Sequence, residues 1–153
     1  MNTIVRTATL SDLPALRQLQ QQLIQFERPF DPTMPSGHVE YYNLRELLHS
    51  EKVKCLVVET EGRIVGCGFG KIKRNPEWPK SPKIGYIGLM FIEKNYRHQG
   101  IGNQIITSLL HWFKECQISD IRLKVYAHNS KALKAYEKYG FTSFMTEMRY
   151  SKP

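Results

Sequence analysis

The stretch from Lys83 to Gly102 narrows the choice of fold more than any other part of the chain. Lys83 to Ile92 is an extended, nearly all-apolar run, and a strand without polar alternation is suited to burial on both faces. It leads through Glu-Lys-Asn-Tyr-Arg-His-Gln-Gly-Ile-Gly into a helix predicted over 101–115, whose Ile105, Leu109, Trp112 and Phe113 lie on one stripe. A buried strand feeding a helix in this way calls for layers of helix on sheet. Two glycines spaced by one residue at the helix start, Gly100 and Gly102, let backbone N–H groups approach a phosphate, and the helix dipole favours its charge. Arg97, three residues earlier than Gly100, adds a side-chain donor to the same place. Tight strand-to-helix packing alone also accounts for such a turn.

The remaining pattern is mixed. Thr3 to Arg6 reads as a first strand, and Ser11-Asp12 can cap a helix carrying Leu13, Leu16, Leu19, Leu23 and Phe26. Three prolines and a glycine between Glu27 and Gly37 impose a loop, after which a second helix is predicted over about 38–49. Val53 to Thr60 and Arg63 to Lys73 form a predicted hairpin about Glu61-Gly62. Ile121 to Tyr126 alternates as a strand with one polar face. Asn129 or Ser130 can cap a last helix closed by Gly140, and Phe141 to Tyr150 reads as a terminal strand or strand pair. The expected architecture is α/β, a mixed central sheet flanked by helices in the order β-α-α-β-β-β-α-β-α-β. With 153 residues, one domain over 1–153 is expected.

Charge fits either an anionic partner on the second two thirds of the chain or a solvated basic surface that aids solubility. Residues 1–50 carry four basic and five acidic side chains, residues 51–100 ten and five, and residues 101–153 eight and four. Three cysteines, Cys55, Cys67 and Cys116, make no C-x-x-C pair, so a reducing, cytoplasmic setting is expected. The N-terminus lacks a signal-peptide core, and no apolar run reaches the ~20 residues a membrane helix needs, so no membrane association is expected. The five histidines show no helical pairing and no cysteine companion, and no metal site is expected. The basic loop Lys71 to Lys83 includes Trp78, a combination that can bind nucleic acid, but a mobile loop flanking the functional site is the preferred reading.

Two glycine-based alternatives fit poorly. A dinucleotide fold needs a third glycine where Ile105 stands, and an acid where the next strand ends in Tyr126-Ala127-His128. Gly66-Cys-Gly-Phe-Gly70-Lys71 lacks P-loop spacing and reads instead as a bulge or a place of close approach. The stretch Asn129-Ser-Lys-Ala-Leu-Lys-Ala-Tyr-Glu-Lys-Tyr-Gly-Phe141 is more telling. Together with Arg97-His-Gln-Gly100-Ile-Gly102, it resembles the GNAT superfamily of N-acetyltransferases, whose phosphate motif is Arg or Gln, two residues, Gly, one residue, Gly or Ala. Asn129, Ala132, Tyr136, Gly140 and Phe141 fall where the last helix of that family places them.

The resemblance implies acetyl-coenzyme A as acetyl donor, with its pyrophosphate in the turn formed by Arg97, His98, Gln99, Gly100, Ile101 and Gly102. It also implies pantetheine pairing along Met90, Phe91 and Ile92, and contacts from Asn129 and Tyr136. Tyr136 is the implied catalytic acid, since tyrosine stays protonated at neutral pH and can donate to a departing thiolate. The implied activity is transfer of acetyl to a primary amine by direct attack in a ternary complex, on a small amine or a protein amine. A GNAT-fold acyl-coenzyme A binding module with little transfer is the alternative, and a homodimer is admitted. Many relatives carry a glutamate base in a pattern like Tyr-Ile-Glu, whereas this chain reads Tyr86-Ile87-Gly88. Either a water chain takes the ammonium proton or Glu27, Tyr86 or His38 does; Glu27, Asp31 and Tyr86 are expected to line the acceptor site, the alternative being that the two acids only cap turns around Pro29 and Pro32.

Overall fold

The computed structural model describes residues 2–151. Strands β1 (Thr3–Thr7), β2 (Val53–Thr60), β3 (Arg63–Lys73), β4 (Ile84–Ile92) and β5 (Ile121–Arg122) form one sheet in that order. The first four run antiparallel, and β5 lies parallel to β4. A parallel neighbour needs a crossover, and α3 (Ile101–Glu115) supplies it. The other helices are α1 (Leu13–Glu27), α2 (Leu44–His49) and α4 (Ser130–Lys138). The β2–β3 turn has positive φ at both Glu61 and Gly62, the conformation a two-residue hairpin requires.

Two apolar layers hold the sheet. Leu16 and Leu19 of α1 with Leu44 and Leu47 of α2 pack on Cys55, Val57, Cys67 and Phe69. On the other face Ile105, Ile106, Leu109 and Phe113 of α3 pack on Leu56, Val58, Val65 and Ile87. Each such side chain contributes about 1.5–3 kcal/mol by leaving water. The expected close approach in the β3 glycine cluster is made by α3, because a Cβ on Gly70 would lie 2.8 Å from the Phe113 ring.

Three expected elements are shorter or absent. The second helix covers only Leu44–His49, because Asn43 caps it by accepting from Glu46 N–H and the Tyr42 N–H is drawn to Gln20 Oε1 at 3.0 Å. The fifth strand pairs only at Ile121 and Arg122, through Gly85 and Tyr86. The terminal strand over Phe141 to Tyr150 is not formed. β5 leaves the sheet before it can offer a ladder edge, and Phe144, Met145, Met148 and Tyr150 are exposed. That segment instead crosses from the Arg122 guanidinium, 4.9 Å from the Phe144 ring, to Asp31, which pairs with Arg149 at 3.3 Å. Among the described residues no helix is long and apolar enough to cross a membrane.

Candidate active site

The site is built around an irregularity in β4. Cys67 pairs with Phe91 and Phe69 with Gly88, so β4 carries one more residue than β3 between these pairs. Leu89 takes a positive φ of 54°, a conformation that costs a branched residue energy and is retained only where its surroundings enforce it. A bulge of this kind bends its strand and increases local twist. Consistent with that bend, β4 and β5 are paired only at the Gly85–Tyr86 end. From Ile87 to Ile92 the β5-facing edge of β4 has no strand partner among the described residues, which leaves backbone of Met90, Phe91 and Ile92 open to another extended group.

That open edge leads into the glycine turn. His98 and Gly100 have positive φ, 63° and 79°, and Gly100 is the N-cap of α3 without a side-chain cap. The first N–H groups of a helix lack intrahelical partners, so the turn presents the donors of Ile101 and Gly102 beside those of Gln99 and Gly100. Among the described residues nothing lies within 4 Å of a Cβ built on Gly100, whereas one on Gly102 would meet Tyr139 Oη at 3.0 Å. Gly100 thus borders open space, and Gly102 lets α3 sit close to α4. The Arg97 side chain turns back toward the strand: Nε donates to the Ile92 carbonyl at 2.7 Å, and the guanidinium lies over the rings of Phe91 and Phe26. Beside it, Gln22, Phe26, Lys94 and Arg97 line a cleft of about 390 Å3.

From the α3–α4 side come Asn129 and Tyr136. Asn129 is buried and its side chain accepts from Ala132 N–H, which caps α4. Tyr136 packs edge-on against Tyr139 and Phe141, and burial pushes its hydroxyl pKa well above the ordinary value, helped by nearby Tyr139 and Glu27.

From the opposite side comes Glu27, at the C-terminal end of α1. Burial raises its pKa above the usual carboxylate value, and a contact with the Tyr41 hydroxyl opposes the rise. Its negative charge helps to raise the pKa values of Tyr41, Tyr42, Tyr126 and Tyr136. Among the described residues the buried Tyr41 hydroxyl has no hydrogen-bond partner. Tyr86 joins the group on β4, with its hydroxyl 3.4 Å from that of Tyr42. Asp31 is differently employed: its Oδ1 accepts from Thr33 N–H and Oγ1 and pairs with Arg149. His38 is exposed and pairs with Glu40. Tyr41, Tyr42 and Tyr126 carry no motif: the first two fall in the span predicted as helix, and Tyr126 ends an alternating strand pattern. The adjacent tyrosines after a proline-rich loop were the available signal.

Gly88 explains why no glutamate stands on β4. A Cβ there would lie 2.7 Å from both Phe69 Cζ and Tyr42 Oη, so the space a longer side chain would need is filled. Gly88→Glu is therefore expected to destabilise the protein by about 1–3 kcal/mol from overpacking, with the buried charge adding to it. Thermal denaturation checks this, and an unchanged midpoint would show that Phe69 and Tyr42 yield freely.

The acetyltransferase (GNAT) family model matches residues 18–141, and the chain belongs to this family. It is similar to N-alpha-acetyltransferase 30 of Dictyostelium discoideum, 26% identical over 109 residues that cover 71% of this chain and 57% of that protein. The matched part is thus little more than half the length of that relative. It is also similar to an N-alpha-acetyltransferase of Sulfurisphaera tokodaii, 27% identical over 145 residues, covering 90% of this chain and 78% of the other. Among solved structures, a predicted acetyltransferase with acetyl-CoA from Clostridium acetobutylicum superimposes with a TM-score of 0.79. The identity is 19%, and the match covers 98% of this chain and 96% of that one. The fold is therefore the mixed sheet flanked by helices that such proteins share.

Proposed function

We propose that this chain moves acetyl from acetyl-coenzyme A to a primary amine by direct attack in a ternary complex. The observation that carries the reading is the junction of an unpaired β4 edge with an open, donor-rich helix start, bordered by Tyr136 on one side and Glu27 on the other. The residues fit the donor. A pantetheine arm is an extended amide chain, and the free edge of Met90, Phe91 and Ile92 suits it. The turn from Arg97 through His98, Gln99, Gly100 and Ile101 to Gly102 suits a pyrophosphate. Arg97 supports it from behind, fixing the turn to Ile92, and Asn129 orders the start of α4.

In this reading Glu27 binds the acceptor ammonium and takes its proton, with Tyr86 lining the acceptor side. The new N–C bond forms as the C–S bond breaks, Tyr136 gives its proton to the departing thiolate, and the second proton shed by the nitrogen restores the Tyr136 hydroxyl. Strand N–H groups at the β4 bulge polarise the acetyl carbonyl oxygen. Asp31 holds the loop beside the acceptor through Thr33 and Arg149. The free thiols of Cys55, Cys67 and Cys116 support a reducing, cytoplasmic setting.

Saturating acetyl-coenzyme A is expected to raise Tm by about 5–10 °C at a hundredfold excess over Kd. Gly100→Val should abolish that shift, since a branched side chain would enter the open space beside the turn and strain a left-handed residue. A folded variant with an unchanged shift would place the donor elsewhere. Thiol release measured against a panel of amines separates a transferase from a module that only holds acyl-coenzyme A.

A further inference from the structure

Four cations surround Tyr86 on the acceptor face of the sheet. Lys71 and Arg122 are its register partners on either side, so all three side chains share one face. Lys73 lies two residues from Lys71 on that face, with Nζ 4.9 Å from the centre of the Tyr86 ring, and Lys124 follows Arg122 at the same spacing. Their counter-charges are few. Arg122 pairs with exposed Asp120 and senses Glu77, while none of the three lysines is ion-paired among the described residues. Burial and the neighbouring charges of Lys124, Lys71 and Arg122 lower the Lys73 pKa. Four like charges with Asp120 as their one ion-paired acid among the described residues are a receiving surface for an anion.

Their position relative to Glu27 says which anion. Glu27 acts on Tyr42, whose hydroxyl is 3.4 Å from that of Tyr86, while Lys71 and Arg122 flank Tyr86 from the neighbouring strands. Along β4, Tyr86 is two residues and Ile84, the partner of Lys73, four residues from Gly88, roughly 7 and 13 Å. An amino acid's own carboxylate, on the carbon that bears the amine, falls short of both. An extended peptide advances about 3.3–3.6 Å per residue, so its second to fourth residues come level with the cations.

Resting on the transfer reading above, we infer that the preferred acceptor is the α-amine of a peptide or protein N-terminus with acidic side chains at its second to fourth positions. The ammonium goes to Glu27, and the acidic side chains lie along Lys71, Lys73, Arg122 and Lys124. Thiol release should be measured with hexapeptides that differ only in carrying Glu, Gln or Lys at those three positions. The Glu peptide should exceed the Gln peptide in kcat/KM by about tenfold at low ionic strength, and the gap should narrow with added salt. Lys71→Glu/Lys124→Glu should reverse the order, with Tm and the acetyl-coenzyme A shift preserved. The milder Lys71→Gln/Lys124→Gln should level it.

Equal kcat/KM for the Glu and Gln peptides overturns the inference, as does a preference that survives both variants. So does tight oligonucleotide binding that shows no link to peptide charge. No release from any peptide, with acetyl-coenzyme A still bound and small amines still acetylated, removes peptide acceptors alone. Loss of acetyl-coenzyme A binding as well removes the transfer reading and this inference together.

Discussion

Tyr136→Phe should lower kcat roughly 10- to 1000-fold while leaving acetyl-coenzyme A affinity nearly unchanged, the range of lost acid assistance in proton transfer. Phenylalanine keeps the ring that packs against Tyr139 and Phe141, so the substitution removes the hydroxyl proton without opening a cavity. Burial raises the Tyr136 pKa, so the group remains protonated throughout the neutral range. No alkaline limb in kcat should therefore arise from Tyr136 until well above a tyrosine's ordinary value of about 10. Single-turnover measurement is the appropriate check, because slow product release can hide a slower chemical step. A wild-type rate for Tyr136→Phe would make Tyr136 a packing residue.

What the sequence reveals of this molecule follows from how local each feature is. The β2–β3 hairpin and α3 have their predicted bounds, since apolar periodicity and a two-residue turn act within one element. The Asn129 cap and the Gly140 closure of α4 are equally local, and Gly140 has the expected positive φ. By contrast, residues 38–43 fail to become helix because Gln20, about twenty positions earlier, takes the Tyr42 N–H. The glycine turn is legible as a motif, yet the destination of the Arg97 side chain is not, because Phe26 and Phe91 come from other elements. The tyrosine cluster is the extreme case: Glu27, Tyr41, Tyr86, Tyr126 and Tyr136 come from five separate places in the chain. Gly88 shows the same limit, since the missing side chain is visible in sequence but the ring that fills its place is not.

Glu27→Gln separates catalysis from stability at that cluster. If Glu27 binds and deprotonates the ammonium, the substitution should reduce kcat/KM for the best amine roughly 10- to 150-fold, about 1.5–3 kcal/mol for a lost charged hydrogen bond. The pH profile gives the sharper signature. A base must be deprotonated, and burial raises the Glu27 pKa, so the acid limb of kcat/KM should lie above the ordinary glutamate value of about 4.3 and disappear in the variant. Stability should move the other way. A carboxylate with its folded pKa raised binds its proton more tightly in the native state, so wild-type stability falls as pH rises from the unfolded to the folded value. Glutamine lacks that penalty, and at neutral pH the variant should be at least as stable as wild type while far less active, a trade typical of functional sites. Asp31→Asn should change kcat/KM little, because the Asp31 carboxylate is engaged by Thr33 and Arg149. An unaltered acid limb in Glu27→Gln would assign the proton to another group, and equal kcat/KM would remove Glu27 from the acceptor site.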